Sequence, residues 1–408
     1  MILDAVRAMA RAAAGSTPNT RRFLAGMFLM GLGHGALQVH LNLYLRSVGF
    51  GLADIARVVS AASLGVVLAS IPSAVWVDRW PPGRIFVLSA TGFSASSLLM
   101  LFFPHPWVLV VLSFLTGVLF TVHWVAEGPF FMRNEGPEHR TELFGLAAAL
   151  ESVAVILAAS GTGFLAGWLG ARLGSEAAGL RMAIAAASVL GLLAVLPYAR
   201  IRTAPSPGPP PPWRTYLVPR QSGLLLRLTL PTFLIGLGAG LTIPFLNLYF
   251  RDRFGRDPAD IGVYFAVAQI LTTAGFAAGP ALARRYSHVH AVVATELLSI
   301  PFFLLLAITN QLWVAVGAFW MRGALMNMNQ PVATAFAMEV VPPDQQAVTN
   351  SLRTFAWNAS WMISTAWGGR LIDAHGYAPG MFATMGLYFV AAALFWTFFR
   401  GRIVGKRP

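Results

Sequence analysis

The sequence predicts an all-α integral membrane protein, with twelve transmembrane helices in two pseudo-symmetric six-helix bundles. Three observations predict it. The 408 residues are 56% hydrophobic and 11% charged, with a mean hydropathy of +0.65; a soluble domain carries roughly 25% charged residues. Apolar stretches of about 20 residues, long enough to cross a bilayer as a helix, recur along the whole chain. Only helices and closed barrels satisfy their backbone polar groups in hydrocarbon, and short alternating strands are absent. Finally, the chain repeats itself. "GLGHGALQVHLNLYLR" (Gly31–Arg46) returns as "GLGAGLTIPFLNLYFR" (Gly236–Arg251), identical at nine of sixteen positions.

The elements follow in order. Residues 1–22 form a polar N-terminal segment. Ile2, Val6, Met9 and Ala13 share one helical face, and Asp4, Arg7 and Arg11 the other. That pattern fits either a short helix lying on the membrane surface or a tail, and it is too polar for the core of a cleavable signal. Six spans are expected over 23–45, 52–77, 84–103, 107–131, 141–169 and 181–199, making an N-terminal bundle over 23–199. Residues 200–222 are a linker whose prolines favour an extended, semi-rigid chain. Six more spans are expected over 223–250, 260–283, 290–309, 313–338, 346–373 and 378–399, making a C-terminal bundle over 223–399. A basic tail, 400–408, ends the chain.

Cation distribution orients the chain. With the N-terminus inside, twenty Lys and Arg fall on the cytoplasmic side and eight outside, and Arg322 lies within a span. Both termini are therefore expected in the cytoplasm, in a cell (inner) membrane. The net charge of +13 does not indicate nucleic acid, because the cations sit between apolar segments and form no stripe. Without cysteine there are no disulfides and no thiolate metal sites. No metal cluster, cofactor motif or nucleophile–base pair stands out, so neither an enzyme nor a cofactor is expected. "GLGHG" is not a nucleotide loop, since no strand precedes it.

After the opening stretch the repeat slips by one residue and then holds. Ala53–Ile55 returns as Ala259–Ile261, and Trp107, Gly117, Pro137 and Gly163 match Trp313, Gly323, Pro343 and Gly369. Repeated bundles facing one another across a shared site are a transporter architecture. The chain resembles the major facilitator superfamily (MFS) over nearly its whole length. The six-plus-six arrangement, the long inner linker and the loop "AVWVDRWPPGR" carry the resemblance. The superfamily signature Gly-x-x-x-Asp-Arg-x-Gly-Arg appears here as Asp78, Arg79, Gly83 and Arg84, with Ala74 in place of the first glycine and an insertion containing two prolines. The second half keeps Gly279, Arg284 and Arg285, with Ala283 where the acid would stand. The glycine-proline motif that marks many drug/proton antiporters in span five is missing from "ASGTGFLAGWLG".

The resemblance implies that Asp78, Arg79, Gly83 and Arg84 form a conformational latch. Arg353 is either an inner-side charge or an alternative partner for Asp78. It also implies that spans one, four, seven and ten line the cavity, while two, five, eight and eleven flank the boundary between the bundles.

Polar groups at mid-membrane depth are functional candidates. His34, Gln38 and Asn42 recur every four residues along one face of span one. The second copy has Ala239, Ile243 and Asn247. Shared Asn42, Tyr44 and Arg46 therefore read as scaffold, and unshared His34 and Gln38 as substrate-facing; a histidine simply bonded to a neighbouring helix remains the alternative. Arg322 replaces Thr116 of the first copy, and Glu151 is replaced by Trp357 in the second. Both are central in their spans. Pairing of Glu151 with Arg322 in one state and parting in another would load and release a proton; a permanent structural pair is the alternative. Glu127 and His123, one turn apart on span four, are further proton-coupling candidates or an inner gate. Asn327, Asn329 and Gln330 lie at similar depth. Trp124, Trp320, Trp357 and Trp361 stack against a substrate or simply pack. Glu296 is expected to partner a loop arginine. Gly31, Gly33, Gly35, Gly236, Gly238 and Gly240 permit close helix contact or bending.

The substrate-binding set is therefore His34, Gln38, Arg322, Trp124, Asn329 and Trp357, and the proton-coupling set is Glu151, Glu127 and His123. The expected function is secondary active transport by alternating access, coupled to protons, with export of amphipathic or drug-like compounds preferred. Uptake of a sugar, organic acid or other metabolite is the alternative, and a non-transporting receptor or sensor is the alternative of another class. The expected partners are a small-molecule substrate, protons and the lipid bilayer, with the protein acting as a monomer.

Overall fold

The computed structural model describes residues 15–203, 222–342 and 345–401. The expected surface helix before residue 15, most of the linker and the tail beyond 401 lie outside the described residues. So do the side chains of Asp78, Arg140 and Arg284.

Twelve long helices follow one another: α1 (Pro18–Ser47), α2 (Leu52–Arg79), α3 (Pro82–Phe102), α4 (Pro106–Asn134), α5 (Pro137–Leu173), α6 (Glu176–Leu192), α7 (Ser222–Thr242), α8 (Pro258–Tyr286), α9 (His288–Ile308), α10 (Leu312–Val340), α11 (Gln346–His375) and α12 (Tyr377–Phe399). Each overlaps one expected span, and there is no strand among the described residues. Two spans are less continuous than the sequence pattern suggests. The short helix Val195–Tyr198 continues α6, and α7 passes through a 3-10 turn, Ile243–Phe245, into the helix Leu246–Phe254. Pro244 in that turn has no N–H to donate to an α-helical ladder.

Among the described residues ten helical segments are long and apolar enough to cross a membrane. Neither α10 nor α11 is among them; their polar side chains line the cavity described below.

Helix starts follow from the sequence. Proline opens α1, α3, α4 and α5 in the first turn, where its missing donor is not needed. Thr17 caps α1, its hydroxyl accepting from the Thr20 N–H at 3.3 Å. Thr17 also donates twice, through N and Oγ1, to Glu135 Oε1, each at 2.9 Å, tying the start of α1 to the end of α4. Gly174 and Gly255 adopt left-handed conformations that end α5 and the last segment of α7.

The repeated residues do matching work. Tyr44 donates to the Leu101 carbonyl at 2.7 Å, and Tyr249 to the Leu306 carbonyl, also at 2.7 Å. Both tyrosines are fully buried. A Cβ on Gly31 or Gly35 would press on α5 at Ala154, Val155 and Ala158, and one on Gly33 would meet α6 at Ala187. In the second copy Gly236 and Gly240 lie against Ser360 and Ser364 of α11, and Gly238 against Tyr388 of α12. The first helix of each half thus alternates glycines between the same two neighbours, as small residues in a membrane bundle allow.

By contacts the chain divides into two compact units. One comprises Met1–Gly49, Leu64–Pro211 and Asp257–Ala266; the other comprises Phe50–Ser63, Pro212–Arg256 and Val267–Pro408. In the second unit the start of α2 lies against the end of α11. Asp373 Oδ2 accepts from the Ala53 N–H at 2.8 Å, and Gly369 lies against Leu52 and Ala56. In the first unit the start of α8 lies against α5, where Gly163 meets Pro258 and Ala259. Here the cap is local: Asp257 Oδ1 accepts from the Asp260 N–H at 2.8 Å.

Candidate functional site

In the first unit, α1, α3 and α4 place aromatic and titratable side chains together. His34 stacks on Phe120 at 4.3 Å between ring centroids and meets the edge of Phe93 at 5.9 Å. Phe120 in turn stacks with Trp124 at 6.2 Å, and Trp124 is 53% exposed. Gln38, one turn from His34, is exposed. Glu127 on α4 and Glu151 on α5 are both half-buried. His123 is different. Its Nε2 lies 2.8 Å from the Tyr198 hydroxyl, and Phe23 and Phe86 pack around it. That is a packed hydrogen-bonded pair, the arrangement expected of a buried polar group.

In the second unit α7, α9, α10, α11 and α12 line an open cavity of about 370 Å³. Arg322, Asn329, Arg353, Trp357 and Trp361 line it, with Glu296 and Tyr388. Arg322 is 5% exposed, its guanidinium 5.3 Å from the Phe303 ring centroid and interacting with the Tyr388 hydroxyl. Phe303 and Tyr388 meet edge to face at 5.6 Å, and Gly238 leaves room for the Tyr388 ring. Trp357 and Trp361, one turn apart on α11, lie 5.7 Å apart. Asn329 Nδ2 donates to Glu296 Oε1 at 3.3 Å. Glu296 Oε2 and Arg322 Nε have no hydrogen-bond partner among the described residues.

The predicted site residues therefore fall into separate groups. Arg322, Asn329, Trp357 and Arg353 come together in one cavity of the second unit. His34 and Trp124 join through Phe120 in the first, where Glu127 and Glu151 are half-buried on α4 and α5. Of the predicted latch, Arg79 and Arg84 are exposed, and Gly83 is buried where a Cβ would lie 2.8 Å from the Ile201 carbonyl.

Residues 23–365 match the family model described as the Major Facilitator Superfamily. The chain belongs to that superfamily. No curated protein sequence matches this MFS chain. Its fold is shared with solved structures of low identity. A mutant form of the nucleoside transporter NupG is 16% identical, with a TM-score of 0.79 over 93% of this chain and 100% of that one. A bacterial homologue of the human lysosomal transporter Spinster is 16% identical, with a TM-score of 0.79 over 95% and 98%. A bacterial homologue of the iron transporter ferroportin is 14% identical, with a TM-score of 0.70 over 93% and 98%. As an MFS member, the protein is a multi-pass membrane transporter of small solutes. Among the described residues no group of three or more His, Cys, Asp or Glu is placed to hold a metal ion.

One residue of this MFS protein corrects the sequence reading. The sequence pairs Glu296 with a loop arginine, but the residue is 3% exposed, and Asn329 is its bonded neighbour. It is the ninth residue of α9, and α9 packs on α10 and α12. The carboxylate consequently faces helices, not a loop. Nothing in the sequence singles out Tyr388. A lone tyrosine in an apolar span is indistinguishable from a packing residue until α12 is seen beside Arg322.

Proposed function

We propose that this MFS protein is a secondary active transporter that exports amphipathic organic solutes bearing an anionic group, by alternating access and in exchange for protons. The cavity of the second unit carries this reading. Arg322 and Arg353 offer charge to an acid, and Trp357 and Trp361 offer ring faces to an apolar body. Solute pockets of this kind are largely apolar with a few placed polar groups. A buried guanidinium without a carboxylate partner is a strong reason for an anion to enter.

Proton exchange is assigned to Glu151 with Glu127. Each is a half-buried carboxylate on a membrane-spanning helix of the first unit, and an ionisable group in a span is a functional candidate. Asp78, Arg79, Gly83 and Arg84 are assigned to the latch. The distribution of cations supports an inner-membrane location with both termini in the cytoplasm. Counterflow of labelled solute in proteoliposomes tests the reading. Accelerated exchange in the presence of trans solute supports a carrier. Binding without any exchange would make the protein a receptor instead.

A further inference from the structure

Resting on the reading of the second unit's cavity as a solute site, we propose that it recognises an amphoteric solute, with the acid held at Arg322 and a cationic ammonium at Glu296. The placement of the two charges carries this. Arg322 and Asn329 are seven residues apart on α10, two turns of one face, or roughly 10 Å along the axis. Glu296 is bonded at the Asn329 level. Tyr388 lies within range of both charges, yet among the described residues no ion pair joins Glu296 to Arg322. Each charge keeps one polar atom unpartnered, and both line the same cavity. A buried charge is normally paired, and here the two that face the cavity leave their pairing to what enters it.

The charged and titratable neighbours of Glu296 are few. Arg322 comes from α10, Arg353 from α11 and Tyr388 from α12, and α7 contributes only Thr232 as a polar side chain to the cavity wall. None of these is a second carboxylate, so the cation's seat is Glu296 alone. A solute that spans the cavity with an acid at one end and an ammonium at the other has an opposite charge in the cavity wall for each end. A simple anion leaves Glu296 unmatched.

Three probes test this on the purified full-length protein by isothermal titration: 3-phenylpropionate, benzylamine and 4-(2-carboxyethyl)benzylamine. The last, doubly charged, is expected to bind roughly tenfold to a hundredfold more tightly than either singly charged one. Glu296→Gln keeps an acceptor for Asn329 and should abolish that advantage while 3-phenylpropionate, relieved of a like charge in the cavity, binds as tightly as before or more tightly; Glu296→Asp should retain part of the advantage. Equal binding of 3-phenylpropionate and the doubly charged probe, both lost in Arg322→Gln, would overturn the inference and leave the solute-site reading standing. Uptake of a proton with 3-phenylpropionate that disappears in Glu296→Gln would also overturn it, making Glu296 the anion's proton partner. Failure of all three probes to bind would remove the solute-site reading itself.

Discussion

Tyr44 donates to Leu101 in one unit, and Tyr249 donates to Leu306 in the other, across the same chain separation and at the same distance. Ten residues before each tyrosine the copies part company. His34 stacks on Phe120 in the first unit, and Ala239 is fully buried in the second. Elsewhere Thr116 becomes Arg322, and Glu151 becomes Trp357. The first unit ends up with two half-buried acids and an aromatic stack, the second with a cavity lined by two guanidinium groups and one carboxylate. A duplicated scaffold supplies two similar frames. The substituted positions give the two frames different chemistry, which suits the proposed exchange of a charged solute for protons.

The largest effect that would break this comparison is at Arg322. Arg322→Gln should reduce solute binding below detection, while the melting temperature stays within a few degrees of wild type, because a buried unpaired charge is being removed. A variant that binds normally would take the chemistry out of the second unit. Next comes Glu151→Gln. It should abolish transport driven by a pH gradient and spare solute exchange. Gradient-driven transport that survives intact would return Glu151 to the scaffold.

Smaller and equal effects are expected from the shared tyrosines. Tyr44→Phe and Tyr249→Phe each leave a buried carbonyl with one bond fewer, costing roughly 1–3 kcal/mol. Matching drops in thermal stability would confirm that the copies bear load alike; a drop in only one would show the frames to be unequal.

The smallest effect sharpens a different contrast. The first turn of α8 is capped by its own Asp257, whereas Gly51 stands at the matching position before α2, and Asp373 caps α2 from the end of α11. Removing either cap should cost about 1 kcal/mol. Gly51→Asp should restore stability in an Asp373→Ala background, because a side chain at residue 51 meets only the Asp373 carboxylate. No recovery would mean that Asp373 does more than cap a helix.

The fold was legible because hydrocarbon imposes one length and one backbone solution on every span. The same pattern marked α10 and α11, although neither is apolar enough to stand among the ten span candidates of the described residues. Arg322, Asn329 and Trp357 were legible as unmatched polar or aromatic groups at depth. Glu296 was not, since its significance depends on which face of α9 meets α10, and the heading of an apolar helix leaves almost no trace in its own periodicity. His123 shows the converse: a histidine at a suggestive depth turns out to be bonded to Tyr198, a partner seventy-five residues away that no local pattern points to.

Solute-evoked proton movement tests the central claim most directly. Proteoliposomes loaded with a pH-sensitive dye should show a proton flux when 4-(2-carboxyethyl)benzylamine is added outside. The flux should be absent in both Arg322→Gln and Glu151→Gln, one residue from each unit. A flux that persists unchanged in either variant would contradict the division of labour between the two units.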